Sequence, residues 1–373
     1  MSHKKVVILV PVYKNRLSLF EKISLKQLFR VLGDYPICIV APTGFTPKYD
    51  ELLERKYEIK FFPERYFKSV EGYSELLLEK DFYERFQEYE YILLHQLDCF
   101  IFRDMLNDFC NQGFDYIGAP IHQDSGFWSQ FHVGNGGLSL RNVKKCIQIL
   151  DKKDMVFRNH PYPDLINKAE DTFFSYCGGE AEYDFSIPPV EVAETFSLYV
   201  DSEEKKKSIC ENGLPFGIHY FPKYYYDFWR PFIQIYGYSL PETASQEKDR
   251  RYLVMMNQWM INAGKGRNIG EYLRQKGYNT IAIYGMSVYA RHLIRELDGH
   301  KVKVKYGIDR WNNSQNDGVL VYRPDAIPDD KVDAVINTVI WDHHSIERDM
   351  SQLLGCPILS LEDVVFEEYW DGD

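Results

Sequence analysis

No apolar run in these 373 residues approaches the roughly 20 needed to cross a bilayer. Cysteine is sparse and scattered. The seven present form no CxxC pair, which argues against a disulfide framework or a zinc site and for reduced thiols in a cytoplasmic setting. Basic residues are outnumbered, 44 against 55, and the net charge of −11 makes duplex nucleic acid an unexpected partner. Internal repeats and low-complexity tracts are absent. The opening MSHKKVVILVPVYKN has a basic flank and a short apolar run but no small-residue cleavage site, so it reads as a strand and not as a targeting signal.

Aromatic residues are abundant at 16%, with 28 Tyr and 24 Phe, a composition suited to clefts that hold polar ring-shaped ligands. The most telling stretch is Tyr91 to Arg103, YILLHQLDCFIFR. It reads as a strand buried on both faces, yet one carboxylate, Asp98, interrupts it. Burying a carboxylate is costly unless it is paired or bound to a metal, so the strand is expected to end at Asp98 in a cleft.

Apolar strands and amphipathic helices alternate along the first half. Strands are expected at Lys5 to Val12, Pro36 to Ala41, Ile59 to Phe62 and Tyr91 to Leu97. Helices are expected at Leu19 to Leu32, Tyr49 to Lys56 and Val70 to Arg85. This is the pattern of an α/β domain with a mainly parallel sheet. Farther on, a strand at Phe114 to Pro120, a helix from Asn142 to Leu150 and a helix from Asp164 to Cys177 are expected among loops. The polar stretch PETASQEKDRR begins a connection, which divides the chain into 1–240, a linker and helical connection over 241–279, and a second α/β domain over 280–373.

Four features of the first domain carry chemistry in their residue types. Asp98 is one. Gly134-Asn135-Gly136-Gly137 is expected as a glycine loop that lets a ligand approach the backbone, a tight turn being the plainer reading. Glu170-Asp171 opens a helix, where acids also occur simply to complement the helix dipole. His219 lies in PFGIHYF, where a satisfied core histidine is the commoner case.

In this order the segments ILVPVYKN, YILLHQLDCFIF, DYIGAPI, VGNGGLSLRN, EDTFFS and PFGIHYF resemble glycosyltransferases of the GT-A fold. They are most similar to a bacterial glycosyltransferase family found with surface-polysaccharide genes. The resemblance covers about residues 5 to 225 and implies a GT-A-like nucleotide-sugar domain with a mainly parallel mixed sheet. It implies transfer of a sugar from a nucleotide-diphosphate sugar to a hydroxyl of a glycan or lipid-linked acceptor, the latter placing a cytoplasmic enzyme at the inner membrane face. Pro11, Val12 and Tyr13 would lie near the nucleotide. Asp98 matches the last acid of an Asp-x-Asp metal motif, while Gln96 stands where the earlier acid would be. His219 would complete a site for Mn or Mg. Gly134, Asn135, Gly136 and Gly137 would line the sugar and acceptor side, and Asp171, ahead of Glu170, would be the general base of an inverting displacement. A retaining scheme is the alternative if no base reaches the acceptor.

Trp128, Phe131, Tyr224, Tyr225, Tyr226, Phe228 and Trp229 are candidate sugar platforms, although core packing is the commoner use of such rings. His122, Asp124 and His132 are candidate acceptor contacts. In the second domain, Gly285-Met286-Ser287-Val288-Tyr289-Ala290 follows a strand as a dinucleotide fingerprint does, and Asp309 stands where a ribose-binding acid would. Ser287 in place of the middle glycine would crowd a pyrophosphate, so NAD is not expected. That half is similar to Rossmann-like domains appended to polysaccharide enzymes. The competing readings are an NAD-dependent oxidoreductase or nucleotide-binding protein acting through 280–373, and a non-catalytic sugar-binding scaffold.

Overall fold

The computed structural model describes residues 4–14, 16–47, 57–120, 133–160, 163–166, 169–198, 203–222, 225–311 and 318–367. The chain divides into two compact units, Met1–Ala244 and Ser245–Asp373.

The first unit is built on a six-stranded mixed sheet. Its first strand, β1 (Lys4–Pro11), sends Val7 and Leu9 into one core and Val6, Ile8 and Val10 into another. A strand covered on both faces must be apolar throughout, which is why ILV runs without interruption. Ser18 and Glu21 form a capping box that starts the helix Leu19–Leu32, and Gly33 caps its end. Strands β2 (Ile37–Pro42), β3 (Glu58–Phe62) and β4 (Tyr89–His95) follow. The short β5 (Phe100–Ile101) comes next, then β6 (Tyr116–Ala119), β7 (Asn135–Asn142) and the short β8 (Gly217–Ile218). The sheet order is β3-β2-β1-β4-β7-β6. The first four strands run parallel, and β7 is antiparallel to both β4 and β6. Because the chain winds outward from β1 to β3 and then returns to β4 on the other side, a crevice opens beyond the C-terminal ends of β1 and β4. Pro11 ends β1 at that crevice, Val12 and Tyr13 follow it, and Gln96–Asp98 follow β4.

The structure corrects several expected elements. Val70 to Arg85 is two helices, Val70–Leu77 and Lys80–Glu84, because the Leu78 N–H turns back to Ser74 and Glu75 carbonyls and closes the first. Asp164 to Cys177 also splits, into Pro163–Ile166 and Glu170–Gly179. The glycine segment is not a loop: Asn135, Gly136 and Gly137 open β7, with Asn135 paired to Ala119 across a register shift. The helix expected at Tyr49 to Lys56 lies outside the described residues.

The second unit has five parallel strands, β9 (Thr280–Tyr284), β10 (Lys303–Ile308), β11 (Val321–Tyr322), β12 (Ala334–Asn337) and β13 (Ile358–Ser360). Their order is β11-β10-β9-β12-β13, so this sheet too has a crevice beyond its first and fourth strands. Much of the segment expected as a connection, 241–279, packs into this unit. Met255 and Trp259 of helix Ala244–Gly264, and Ile269, Tyr272 and Leu273 of helix Ile269–Gln275, join β9 residues in one buried cluster.

Candidate functional site

The candidate site lies where β4 ends. The chain leaves His95 in a tight turn, with Cys99 N–H donating to the Gln96 carbonyl at 3.1 Å, and re-enters the core as β5. Asp98 sits on that turn, so the carboxylate escapes the apolar strand that surrounds it in sequence. A two-stranded ribbon supplies its partner. β5 pairs antiparallel with β8, Phe100 opposite Ile218, so the next residue along β8, His219, falls opposite Cys99 and beside Asp98. His219 Nε2 lies 3.1 Å from Asp98 Oδ1 and 3.1 Å from Gln96 Oε1. The imidazole is 2% exposed and the carboxylate 30%. Burial pushes the Asp98 carboxyl up, but the charge and hydrogen bond of His219 outweigh it and hold Asp98 below its ordinary value.

Gly137 makes this arrangement possible. A Cβ there would stand 2.2 Å from His219 Nε2 and Cε1, so only glycine admits the ring. The Gly137 carbonyl accepts from Gln96 N–H at 2.9 Å and from the Cys99 thiol at 3.3 Å.

The preceding residue faces a pair of acids. A Cβ on Gly136 would meet Glu170 Oε1 at 2.4 Å and Asp171 Cβ at 3.3 Å. Asp171 Oδ2 accepts from Gly136 N–H at 3.3 Å and Oδ1 from Thr172 N–H at 2.8 Å, at the start of helix Glu170–Gly179. Burial, and then the charge of Glu170, raise the Asp171 carboxyl to about 7. Glu170 is turned inward, where it pairs with Arg141 at 3.0 Å and accepts from Ser74 Oγ at 2.8 Å. Gly136 and Gly137 therefore join two clusters: Gln96, Asp98 and His219 on one side, Asp171 and Glu170 on the other.

Pro11 ends β1, paired with Val40 of β2, and Val12 and Tyr13 follow it; Val12 is buried and Tyr13 is exposed, with Lys14 Nζ 5.9 Å from its ring. Gly134 packs against helix Glu170–Gly179, its Cβ position 2.8 Å from Ser175 Cβ. Asn135 turns its side chain back to accept from Gly137 N–H at 3.1 Å. Among the aromatic candidates, Tyr226 and Trp229 are buried in a core cluster with Phe228 packed against it, while Tyr225 is exposed. Trp128, Phe131, Tyr224, His122, Asp124 and His132 lie outside the described residues.

Sequence reading missed three residues here. Cys99 groups with Asp98 and His219, their ligand atoms all within 4.8 Å of one another. Burial drives its thiol well above the usual range, so it stays protonated and is a poor ligand for a hard cation. His95 is fully buried, and burial lowers it to about 4, which keeps the ring neutral. Arg141 is fully buried in the apolar LSLR, the same signal that singled out Asp98.

The donor set fits a divalent cation. A hard ion takes carboxylate and imidazole ligands at roughly 2.1–2.2 Å, and two such ligands side by side are about 3 Å apart. Asp98 Oδ1 and His219 Nε2 have that separation, 3.1 Å.

A family model described as a protein of unknown function (DUF5672) matches residues 56–219, a span that begins before β4 and ends on His219. No curated protein matches. Solved glycosyltransferase structures are similar at low identity. Mouse xyloside xylosyltransferase 1 is 12% identical over 58% of this chain and 97% of its own, with a TM-score of 0.37. The glycosyltransferase GlyE of Streptococcus pneumoniae TIGR4 is 14% identical over 96% of this chain and 91% of its own, with a TM-score of 0.37. The galactosyltransferase LgtC, solved with donor and acceptor sugar analogues, is 12% identical over 65% of this chain and 99% of its own, with a TM-score of 0.39.

Proposed function

We propose that this chain is a nucleotide-sugar-dependent glycosyltransferase whose site lies at the end of β4. The observation that carries the reading is the Asp98–His219 pair, 3.1 Å apart, at the crevice where a doubly wound sheet binds ligands. Asp98 and His219 would hold a divalent cation, Mn or Mg, and Gln96 adds a neutral oxygen beside them. When bound, such a cation supplies positive charge to the departing diphosphate. The end of β1 and the residues after it, Pro11–Tyr13, would receive the base and ribose.

Asp171 is the general base. Its raised proton affinity suits transfer near neutral pH, and Gly136 N–H and Thr172 N–H each fix one of its oxygens. It would take the proton from the acceptor hydroxyl as that oxygen attacks the anomeric carbon, an inverting displacement. Carboxylate bases of this kind contribute roughly 10²–10⁴-fold. The acceptor is a glycan or lipid-linked sugar of surface-polysaccharide synthesis, used at the cytoplasmic face of the membrane. No helix among the described residues is long and apolar enough to cross a membrane.

The second unit is read as a Rossmann-like structural or regulatory module. Its Asp309 carboxylate accepts from Met286 N–H and Trp311 N–H, both at 2.8 Å, and so closes its own turn instead of offering itself to a ribose. Release of free sugar from a panel of nucleotide sugars, with and without Mn, tests the proposal. Wild type should hydrolyse at least one donor, and Asp98→Ala and His219→Ala should each lower that rate by about 100-fold or more. Undiminished turnover in both variants would refute the assignment.

A further inference from the structure

Arg141 is 0% exposed on β7, with three polar partners besides the peptide next to it. Its Nη2 lies 3.0 Å from Glu170 Oε1, its Nη1 donates to Tyr83 Oη at 2.9 Å and its Nε to Ser139 Oγ at 3.0 Å. The rings of Tyr116 and Phe174 each lie 5.3 Å from the guanidinium. A fully buried ion pair contributes little net stability compared with apolar residues of the same volume. Its position suggests what else it does. Gly136 is held through both of its backbone groups: its N–H points to Asp171 Oδ2, and its carbonyl accepts from Ser139 Oγ at 2.9 Å and lies 3.5 Å from Arg141 Nη2. A Cβ on Gly136 would press on Glu170, Arg141 and Asp171 together.

We propose that the buried Arg141–Glu170 pair is the positioning device of this site, holding the Gly136 peptide against Asp171 and setting the pH at which Asp171 releases its proton. The inference rests on Asp171 as the base but not on which sugar is moved. The charged groups facing Asp171 are Glu170 beside it on the helix and Arg141 across from it on β7, and they act in opposite directions. The phenol of Tyr116 on β6 also faces it; burial raises that phenol far above its usual range, so it stays neutral. Tyr83, behind Arg141, is neutral for the same reason. Glu170 is the only one of these groups that favours the protonated form of Asp171 by its charge at neutral pH. Arg141 limits that effect by neutralising part of the Glu170 charge.

The test follows the Asp171 carboxyl carbon by NMR in aspartate-labelled protein without substrate, assigned by difference with Asp171→Asn. Glu170→Gln keeps the shape and the acceptor oxygen for Arg141 or Ser74 but removes the charge. It should move the Asp171 titration down by about one unit or more, and the acid limb of kcat/KM should move with it. Arg141→Lys keeps the charge but loses the fork, so kcat should fall more than the titration moves. In unaltered protein the Gly136 amide shift should titrate together with the Asp171 carbon, a readout independent of whether any variant folds. An Asp171 titration unchanged in Glu170→Gln, or a Gly136 amide indifferent to it, would overturn the proposal. Full transfer activity in Asp171→Asn would instead remove the base assignment, and the carbon titration would still decide the coupling.

Discussion

Each unit places an acid just after a strand that flanks its first strand, Asp98 after the fourth strand and Asp309 after the second, and the two are used in opposite ways. In the first, Asp98 follows the strand beside β1, and its carboxylate faces an imidazole and is 30% exposed. In the second, Asp309 follows the strand beside β9, and each of its oxygens accepts a backbone N–H from a neighbouring turn. The glycines differ in parallel. Gly137 leaves room for the ring of His219, whereas Gly285, at φ +81°, leaves room for Val339 and Thr338, the residues that follow β12. In the first unit the β5–β8 ribbon sets His219 beside Asp98 and leaves the carboxylate partly exposed, whereas in the second both oxygens of Asp309 are taken up by backbone N–H groups.

The contrast can be broken most sharply at the glycines. Gly137→Ala drives a methyl into His219 and should abolish donor turnover, by about 100-fold or more, with about 1–3 kcal/mol of destabilisation. Gly285→Ala should destabilise by a similar amount, through its positive φ and Val339 Cγ2 at 2.6 Å, yet leave turnover of the folded protein unchanged. Donor hydrolysis alongside thermal unfolding separates the two, and the comparison fails if Gly285→Ala is the variant that loses chemistry.

Next in size is Asp309→Ala, which strands two backbone donors and should lower stability by about 1–3 kcal/mol in urea unfolding with catalysis retained. The smallest effect is a pH dependence of opposite sign for the two acids of the first unit. Folded Asp171 keeps its proton to a higher pH than the unfolded chain does, so its contribution is fully present below about 4 and is lost as pH rises through about 7. Asp171→Asn should therefore gain stability relative to wild type at pH 8, by about 1 kcal/mol after allowance for its partial exposure. Asp98 is held low, so its contribution is present above the ordinary carboxylate range of about 4 and is lost on acidification. Asp98→Asn should lose stability at pH 8 and converge on wild type below about pH 3. Unfolding midpoints measured from pH 3 to 8 check both signs.

Much of this was legible in the sequence, for physical reasons. Strands covered on both faces have no polar side to hide, so β1, β2 and β4 stand out as apolar runs, and Asp98 stands out because it interrupts one. The short pieces were less legible. β5 and β8 have two residues each, too few for a period, yet their register places His219 beside Asp98. The glycines of β7 read as a loop because glycine is a poor strand former, and their reason for being there, close approach by Glu170 and His219, comes from elements far away in sequence. The different surroundings of Glu170 and Asp171 depend on Arg141, 29 residues earlier, and no local pattern reveals which acid it takes. The break at Leu78 comes with turn hydrogen bonds from its N–H, and the helix that begins at Glu170 is preceded by extended backbone at Ala169, neither of which helical periodicity reveals.

On the proposed reading, Asp98 and His219 form a cation site in the first unit and Asp309 forms none in the second. Manganese binding followed by electron paramagnetic resonance, with a nucleoside diphosphate present, tests it directly. One bound ion per chain is predicted for wild type and for Asp309→Ala, and none at the same concentrations for Asp98→Ala or His219→Ala. Equal binding by wild type and Asp98→Ala, or loss of the ion on replacing Asp309, would contradict the claim.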